Sequence, residues 1–294
     1  MNAAPVLVRL PDQGNEPVRN MLARVESVAT VAPGYCRITV ASPGIASVRA
    51  GQFCMLGSVD WREGRERMLP RPMAVHEHDR GNGTLGFVCK LVGDGTRQLA
   101  NLTPGDRIRL IGPLGHGFDL RGEGPVLLLG RGVGTFSLGL VPSQVPAGRP
   151  VTVLLSARDS ARLLGVDHFE RLGCTVLTVT DQDGTSSVPA VADLLQARFG
   201  AASRPGLVLS CGSRRLMDLG FGLARSWGAR MQTSVEANMA CGLGYCHGCA
   251  SPVGSEDVEA PLVCVDGPVF ELRPSGTTNT GEEDAEHEHT VAVG

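Results

Sequence analysis

Between about residue 20 and residue 118 the chain alternates apolar and polar positions over short stretches: "MLARVESVATVAP", "YCRITVAS", "GQFCMLGSV", "RPMAVHEH", "GTLGFVCKLVG" and "GDRIRLIGPLG". A period of two puts every second side chain on the same face of a strand. Short strands at regular spacing, parted by turn residues, predict a small antiparallel barrel. Only "GTRQLANLTPGD" reads as a short helix, stopped at Pro104 and Gly105.

After residue 122 the pattern changes. "PVLLLG" is apolar without interruption, as a strand buried on both faces of a parallel sheet must be. "PVTVLLSA", "CTVLTVT" and "GLVLSCG" repeat it, and "SARLLGVDHFERLG", "SVPAVADLLQARFG" and "SRRLMDLGFGLARSWG" between and after them read as helices. Alternating strands and helices predict an α/β domain with right-handed crossovers. The expected organisation is a loose, polar arm over residues 1–18, an antiparallel barrel over 19–120 and a parallel-sheet α/β domain over 121–235. A small cysteine-bearing segment over 236–274 follows, then an acidic tail over 275–294, expected to be disordered.

A length of 294 residues accommodates two domains and an appendage. A net charge of −3 argues against a nucleic-acid footprint, and an aromatic content of 4% leaves little for stacking on single strands. No apolar run approaches the ~20 residues of a membrane span, and "MNAAPVLVRLPDQG" lacks the regions of a signal peptide, so a cytoplasmic protein is expected.

Nine cysteines are therefore not expected to form a disulfide framework. Three stand in "CGLGYCHGC", residues 241–249, and a fourth in "APLVCVDGPVF". The set Cys241, Cys246, Cys249 and Cys264 has the C-x4-C-x2-C…C spacing of a plant-type [2Fe–2S] cluster. Gly242, Gly244 and Gly248 are expected to supply the left-handed backbone that a loop wrapping a compact cluster needs. A zinc knuckle is the competing reading. Cys36, Cys54, Cys89, Cys174 and Cys211 sit singly among apolar residues and read mostly as buried small hydrophobes. Lys90 is the only lysine among 27 basic residues, a bias read first as one of genome composition.

Three further stretches suit phosphate. In "RPMAV" a guanidinium, Arg71, stands at a strand edge with Pro72 fixing the backbone, suited to bidentate contact with a diphosphate or to a neighbouring carboxylate. In "VGDGT", Gly93, Gly95 and Thr96 precede a helix, as an anion site or as an ordinary turn and cap. "LLLGRGVGTFSL" places Gly130, Gly132 and Gly134 after a buried strand and at the start of a helix, the context of a dinucleotide turn.

In this order, a barrel, an α/β domain and a cluster segment resemble the ferredoxin–NAD(P)H reductase superfamily. Within it the chain is similar to the electron-transfer subunits of dihydroorotate dehydrogenase, the PyrK type, over residues 20–272. "SVEANMACGLGYCHGC", "LVCVDGPVF", "RPMAV", "VGDGT", "LTPGDRIRLIGPLGHGF", "LLLGRGVG" and "LSCGS" carry the likeness. The resemblance implies FAD, with Arg71 near the pyrophosphate, Met73, Ala74 and Val75 beside the isoalloxazine, and Pro72 in the same stretch. It implies a nicotinamide nucleotide at Gly130, Arg131, Gly132 and Gly134 with the turn at Cys211 and Gly212, and Glu236 near the junction of flavin and cluster, although Glu236 by itself reads equally as a helix-cap carboxylate.

The chain departs from the family pattern where Ala74 replaces a hydroxyl residue, so that the N–H of Ala74 or Val75 is left to meet flavin N5. Arg131 replaces a glycine, Ser137 ends a turn that elsewhere carries proline, and Ser213 follows "CG" in place of proline. Arg131 is expected to clamp a phosphate or to obstruct the backbone, and Arg158 and Arg162 to meet a 2′-phosphate or solvent. His116 reads as structural or solvated.

The implied function is electron transfer between NAD(P)(H) and a partner oxidoreductase. That partner is an FMN-dependent dihydroorotate dehydrogenase subunit of pyrimidine biosynthesis or another redox enzyme, and no general acid or base is required. The alternatives are a redox sensor or partner-bound scaffold that keeps FAD and cluster without nicotinamide turnover, and a zinc-bound α/β module.

Overall fold

The structure, a computed structural model, describes residues 5–57, 69–251 and 260–275. After a short strand β1 (Pro5–Val8), six strands alternate as the sequence predicts: β2 (Arg19–Ala32), β3 (Tyr35–Ala41), β4 (Phe53–Gly57), β5 (Arg71–Asp79), β6 (Thr84–Lys90) and β7 (Arg107–Leu114). They close as an antiparallel barrel in the order β2-β3-β6-β5-β4-β7. Its interior holds Val25, Ile38, Val40, Val75, Leu85, Phe87, Ile108 and Leu110, none more than 1% exposed. The helix α1 (Asp94–Ala100) adds Leu99 to the same core.

The second sheet is wound around continuous apolar strands: β8 (Val126–Arg131), β9 (Val151–Ala157), β10 (Thr175–Thr180), β11 (Leu207–Cys211) and β12 (Arg230–Ser234), all parallel. Around them lie α2 (Val141–Gln144), α3 (Val166–Arg171), α4 (Val188–Arg198) and α5 (Arg214–Trp227). The last strand, β13 (Val269–Pro274), runs antiparallel beside β12, giving the order β1-β13-β12-β11-β8-β9-β10. Strand order reverses between β8 and β11, and in open parallel sheets ligands bind beyond the strand ends at such a point.

Four expectations are corrected. The N-terminal residues are not a loose arm, because Pro5–Val8 pair with Glu271–Pro274 and complete the sheet edge, and Gln13 exchanges hydrogen bonds with the Gly117 backbone at 2.9 and 3.2 Å. The segment 236–274 is not a separate appendage, since β13 closes the parallel sheet. The stretch 160–173 is not one helix: a single 3-10 turn, Ser160–Arg162, is capped by Asp159, and α3 starts only after Gly165 turns the chain at φ 84°. The glycine turn opens a 3-10 helix, Gly132–Leu138, rather than an α-helix. The acidic tail beyond residue 275 lies outside the described residues. Among the described residues no helix is long and apolar enough to cross a membrane.

Candidate functional site

Barrel, second sheet and cysteine segment meet at one cavity of about 560 Å³, within the ordinary size range of small-molecule sites. The barrel contributes Pro72, Met73 and Ala74 of β5, the end of β6 through Val88, Cys89 and Lys90, and Thr96 of α1. From the second sheet come Val133, Phe136 and Ser137 of the 3-10 helix, and the run Ser234–Met239 that leads into the cysteine loop forms a further wall, with Gly51, Phe53, Val92 and Pro268 completing the lining.

The predicted flavin residues divide. Pro72, Met73 and Ala74 line the cavity, whereas Val75 points into the barrel core and its N–H donates to the Gln52 carbonyl at 3.0 Å. That bond removes Val75 as a donor to flavin N5. Arg71 opens β5 opposite Leu56, one residue outside the cavity wall. The Thr96 hydroxyl is committed to its own loop: it accepts from the N–H groups of Val92 and Gly93 at 3.0 and 3.2 Å and donates to the Gly93 carbonyl at 2.9 Å. What "VGDGT" offers a phosphate is therefore backbone N–H at the start of α1, with Gly93 as cap and Gly95 buried in the first turn.

Two residues that the sequence motifs do not single out for the flavin face the same space. Lys90 is one, and its singularity in composition was the available signal. Phe136 is the other. Glu236 joins them in the wall, and burial raises its carboxyl above the usual range while Lys90 pulls it down.

At the switch point the two predicted nucleotide turns come together, with Cys211 of β11 opposite Gly130 of β8. A Cβ on Gly134 would lie 2.5 Å from Gly212 Cα, and one on Gly212 would lie 2.2 Å from the Arg131 carbonyl oxygen, so both must be glycine for the turns to touch. Cys211 is pushed up to about 12 by burial, with Glu236 adding to the effect.

The Arg131 side chain does not stand free. Its guanidinium donates to Ser156 Oγ at 2.5 Å and Asp181 Oδ2 at 2.6 Å, across the ends of β9 and β10. Gly132 takes φ 56° beside it, and a Cβ there would meet only the Tyr35 hydroxyl, 3.9 Å away. Ser213 caps α5, accepting from Leu216 N–H at 3.4 Å. Arg162 is paired with Asp159, and Arg158 is exposed. The backbone N–H of His116 donates to the Gly267 carbonyl at 2.6 Å, while its ring Nδ1 is buried with no hydrogen-bond partner among the described residues.

The four cysteines of the loop converge in two pairs. Cys241 neighbours Cys246 and Cys249 neighbours Cys264, each pair near enough for one sulfur to act on the other's ionisation. Among the described residues no three His, Cys, Asp or Glu side chains close on one point as a single-metal centre needs. Two thiol pairs fit a binuclear cluster, in which each iron takes two thiolates, better than they fit one zinc.

Backbone N–H groups face the sulfurs, from Leu243 to Cys241 at 3.4 Å and from Gly244 to Cys264 at 3.1 Å. Gly242 and Gly244 are left-handed as expected, but His247 at φ 55°, not Gly248, supplies the third such position. Burial opposes ionisation of Cys241, yet the hydrogen bonds to its sulfur bring it down to about 7. Cys264 is pushed up to about 12 by burial and by Cys249. Cys249 and Cys264 sit in an apolar cluster with Phe53, Met55, Leu114 and Phe270. Cys246 faces solvent, and in the same segment Leu243, Tyr245 and Val265 are exposed by 51%, 91% and 44%.

Known proteins resemble this chain in sequence and in fold. Residues 236–273 match the model of the iron–sulfur cluster binding domain of dihydroorotate dehydrogenase B. The chain is 30% identical over 252 residues to the dihydroorotate dehydrogenase B (NAD(+)) electron transfer subunit of Desulforamulus reducens, covering 84% of this chain and 95% of that one. It is 32% identical over 226 residues to the Fusobacterium nucleatum protein of the same name, covering 75% and 84%. Among solved structures it is similar to an NADH-dependent reduced ferredoxin-NADP oxidoreductase studied for flavin-based electron bifurcation, with a TM-score of 0.71, 26% identity and coverage of 88% and 90%.

Proposed function

Because this chain belongs to the family of dihydroorotate dehydrogenase B electron transfer subunits, we propose that it carries electrons between a nicotinamide nucleotide bound at the β8–β11 crevice and a partner dehydrogenase docked at the cluster loop. It is an NAD-linked flavin and iron–sulfur electron-transfer protein, an oxidoreductase whose cofactors are FAD, a [2Fe–2S] cluster and NAD(P). When bound, the flavin exchanges hydride with the nicotinamide and single electrons with the cluster.

The observation that carries the reading is the shared cavity. Its walls are the barrel strand predicted for FAD, the 3-10 helix after the nucleotide turn, and the run Ser234–Met239 that continues directly into Cys241. Pro72, Met73, Ala74, Lys90 and Glu236 would hold the flavin ring and chain, with Arg71 and the start of α1 toward its phosphates. Gly130, Gly132, Gly134, Cys211 and Gly212 would receive the nucleotide, and Cys241, Cys246, Cys249 and Cys264 the cluster.

The partner is a catalytic dehydrogenase subunit of the FMN-dependent dihydroorotate type, and Leu243, Tyr245 and Val265 beside the solvent-facing Cys246 are the apolar contact it would cover. The assembly is cytoplasmic. Anaerobic stopped-flow mixing with NADH and NADPH tests the proposal: one of them bleaches the flavin band, and the cluster signal follows. A flavin band unchanged by both would leave the sensor or scaffold reading.

A further inference from the structure

Two of the cysteines read from the sequence as inert core residues face each other. Cys36 of β3 and Cys89 of β6 are register partners across the antiparallel ladder, and their sulfurs are 3.0 Å apart. Leu91 N–H donates to the Gly34 carbonyl at 2.8 Å two residues along, so alternation makes Cys36–Cys89 a hydrogen-bonded pair. The α-carbons of such a pair lie ~5.5 Å apart, inside the ~4.4–6.8 Å range that a disulfide spans. The backbone need not move for the sulfurs to join.

Both side chains are buried, 3% and 1% exposed, which shields them from bulk thiols and oxidants. On one side, however, Cys89 belongs to the wall of the flavin cavity, next to Val88 and Lys90. The other isolated cysteines, Cys54, Cys174 and Cys211, are all raised by burial. Cys36 and Cys89 differ in acting on each other: the hydrogen bond between them lowers Cys36 against desolvation and raises Cys89. A sulfur that stabilises its neighbour's thiolate is the arrangement of an exchanging dithiol.

We propose that Cys36 and Cys89 are a dithiol–disulfide couple that trades two electrons with the flavin of the adjacent cavity. The inference rests on that cavity being the flavin site. On oxidation the two sulfurs form one S–S bond, losing two electrons and two protons, and the oxidised flavin takes up both electrons. On reduction the S–S bond breaks, and the same two electrons return from the reduced flavin with protons to regenerate two thiols. The couple gives a chain that meets nicotinamide in electron pairs a second two-electron store beside the flavin. It also staples β3 to β6 immediately before the phosphate loop when oxidised.

The test is an anaerobic reductive titration of the air-oxidised holoprotein with dithionite, with flavin and iron measured on the same sample. Wild type is expected to consume two reducing equivalents per chain more than its flavin and cluster account for, and Cys36→Ala and Cys89→Ala to lose that excess. Cys36→Ala, outside the cavity wall, keeps its flavin and cluster absorbance. Differential alkylation and mass spectrometry should find the peptides of Cys36 and Cys89 joined before titration and singly alkylated after it. NADH should release them in flavin-loaded but not in flavin-stripped protein. Wild type with full flavin and no excess equivalents, or with both peptides alkylated before reduction, overturns the couple and leaves the flavin site standing. Absence of flavin from purified protein overturns the site itself.

Discussion

The two sulfur sites of this chain are built on opposite backbone principles. The cluster loop holds its cysteines on irregular backbone, with Gly242, Gly244 and His247 all left-handed and two N–H groups facing sulfur. Cys36 and Cys89 sit in an unbroken β-ladder whose amides are already paired with each other. A metal cluster needs several thiolates around a centre wider than one side chain, plus donors for their charge, so the chain has to leave regular structure. A dithiol needs only two β-carbons in register, which any antiparallel pair provides. Sequence spacing therefore announces the first site and is silent about the second.

The largest expected effect is at the cluster. Cys246→Ser should abolish the cluster's electron paramagnetic resonance signal and most of the bound iron while the flavin band stays, because Cys246 faces solvent and its removal does not open the apolar cluster around Cys249 and Cys264. Full iron in that variant would remove Cys246 from the ligand set. The ladder cysteines, by contrast, should carry no iron, so Cys36→Ala leaves iron content unchanged.

Next in size is Gly212→Ala. Its Cβ would meet the Arg131 carbonyl oxygen at φ 88°, and a strained backbone of this kind costs about 1–3 kcal/mol. The nucleotide turn would shift, so the NADH concentration for half-maximal flavin reduction should rise by at least tenfold with bound flavin unaltered. An unchanged dependence on NADH would place the nucleotide elsewhere.

The smallest effect expected is a pH dependence at the joint between barrel and sheet, where regular structure again does the holding. His76 is buried, its ring 5.2 Å from Phe136 of the cavity wall, and Glu77 lies 3.5 Å from His76 and 3.4 Å from His168. Burial lowers His76 to about 4, and the hydrogen bond from His168 lowers Glu77 to about 2. Both folded values lie below the unfolded ones, so the native state binds fewer protons and stability falls as pH falls. His76 acts from about pH 6.5 down to about 4, and Glu77 from about pH 4.5 down to about 2. The melting temperature of wild type should drop as pH is lowered from 7 to 4, and His76→Phe should flatten that slope. An identical slope in the variant would assign the acid lability to other groups.

Much of this protein follows from the chain alone. The period of two before residue 118 and the continuous apolar runs after it determine barrel and parallel sheet, because they state which faces must be buried. Cys241, Cys246, Cys249 and Cys264 declare a cluster, and Gly134 and Gly212 declare turns, because ligand number and backbone angles are local demands written at fixed spacing.

What only the tertiary structure decided are partnerships between distant segments: Arg131 with Asp181, Lys90 and Phe136 in one wall, Pro5–Val8 against β13, and Cys36 opposite Cys89. Each depends on strand order and register, which arise from closing the whole sheet or barrel. No local pattern distinguishes a cysteine facing valine from a cysteine facing another cysteine.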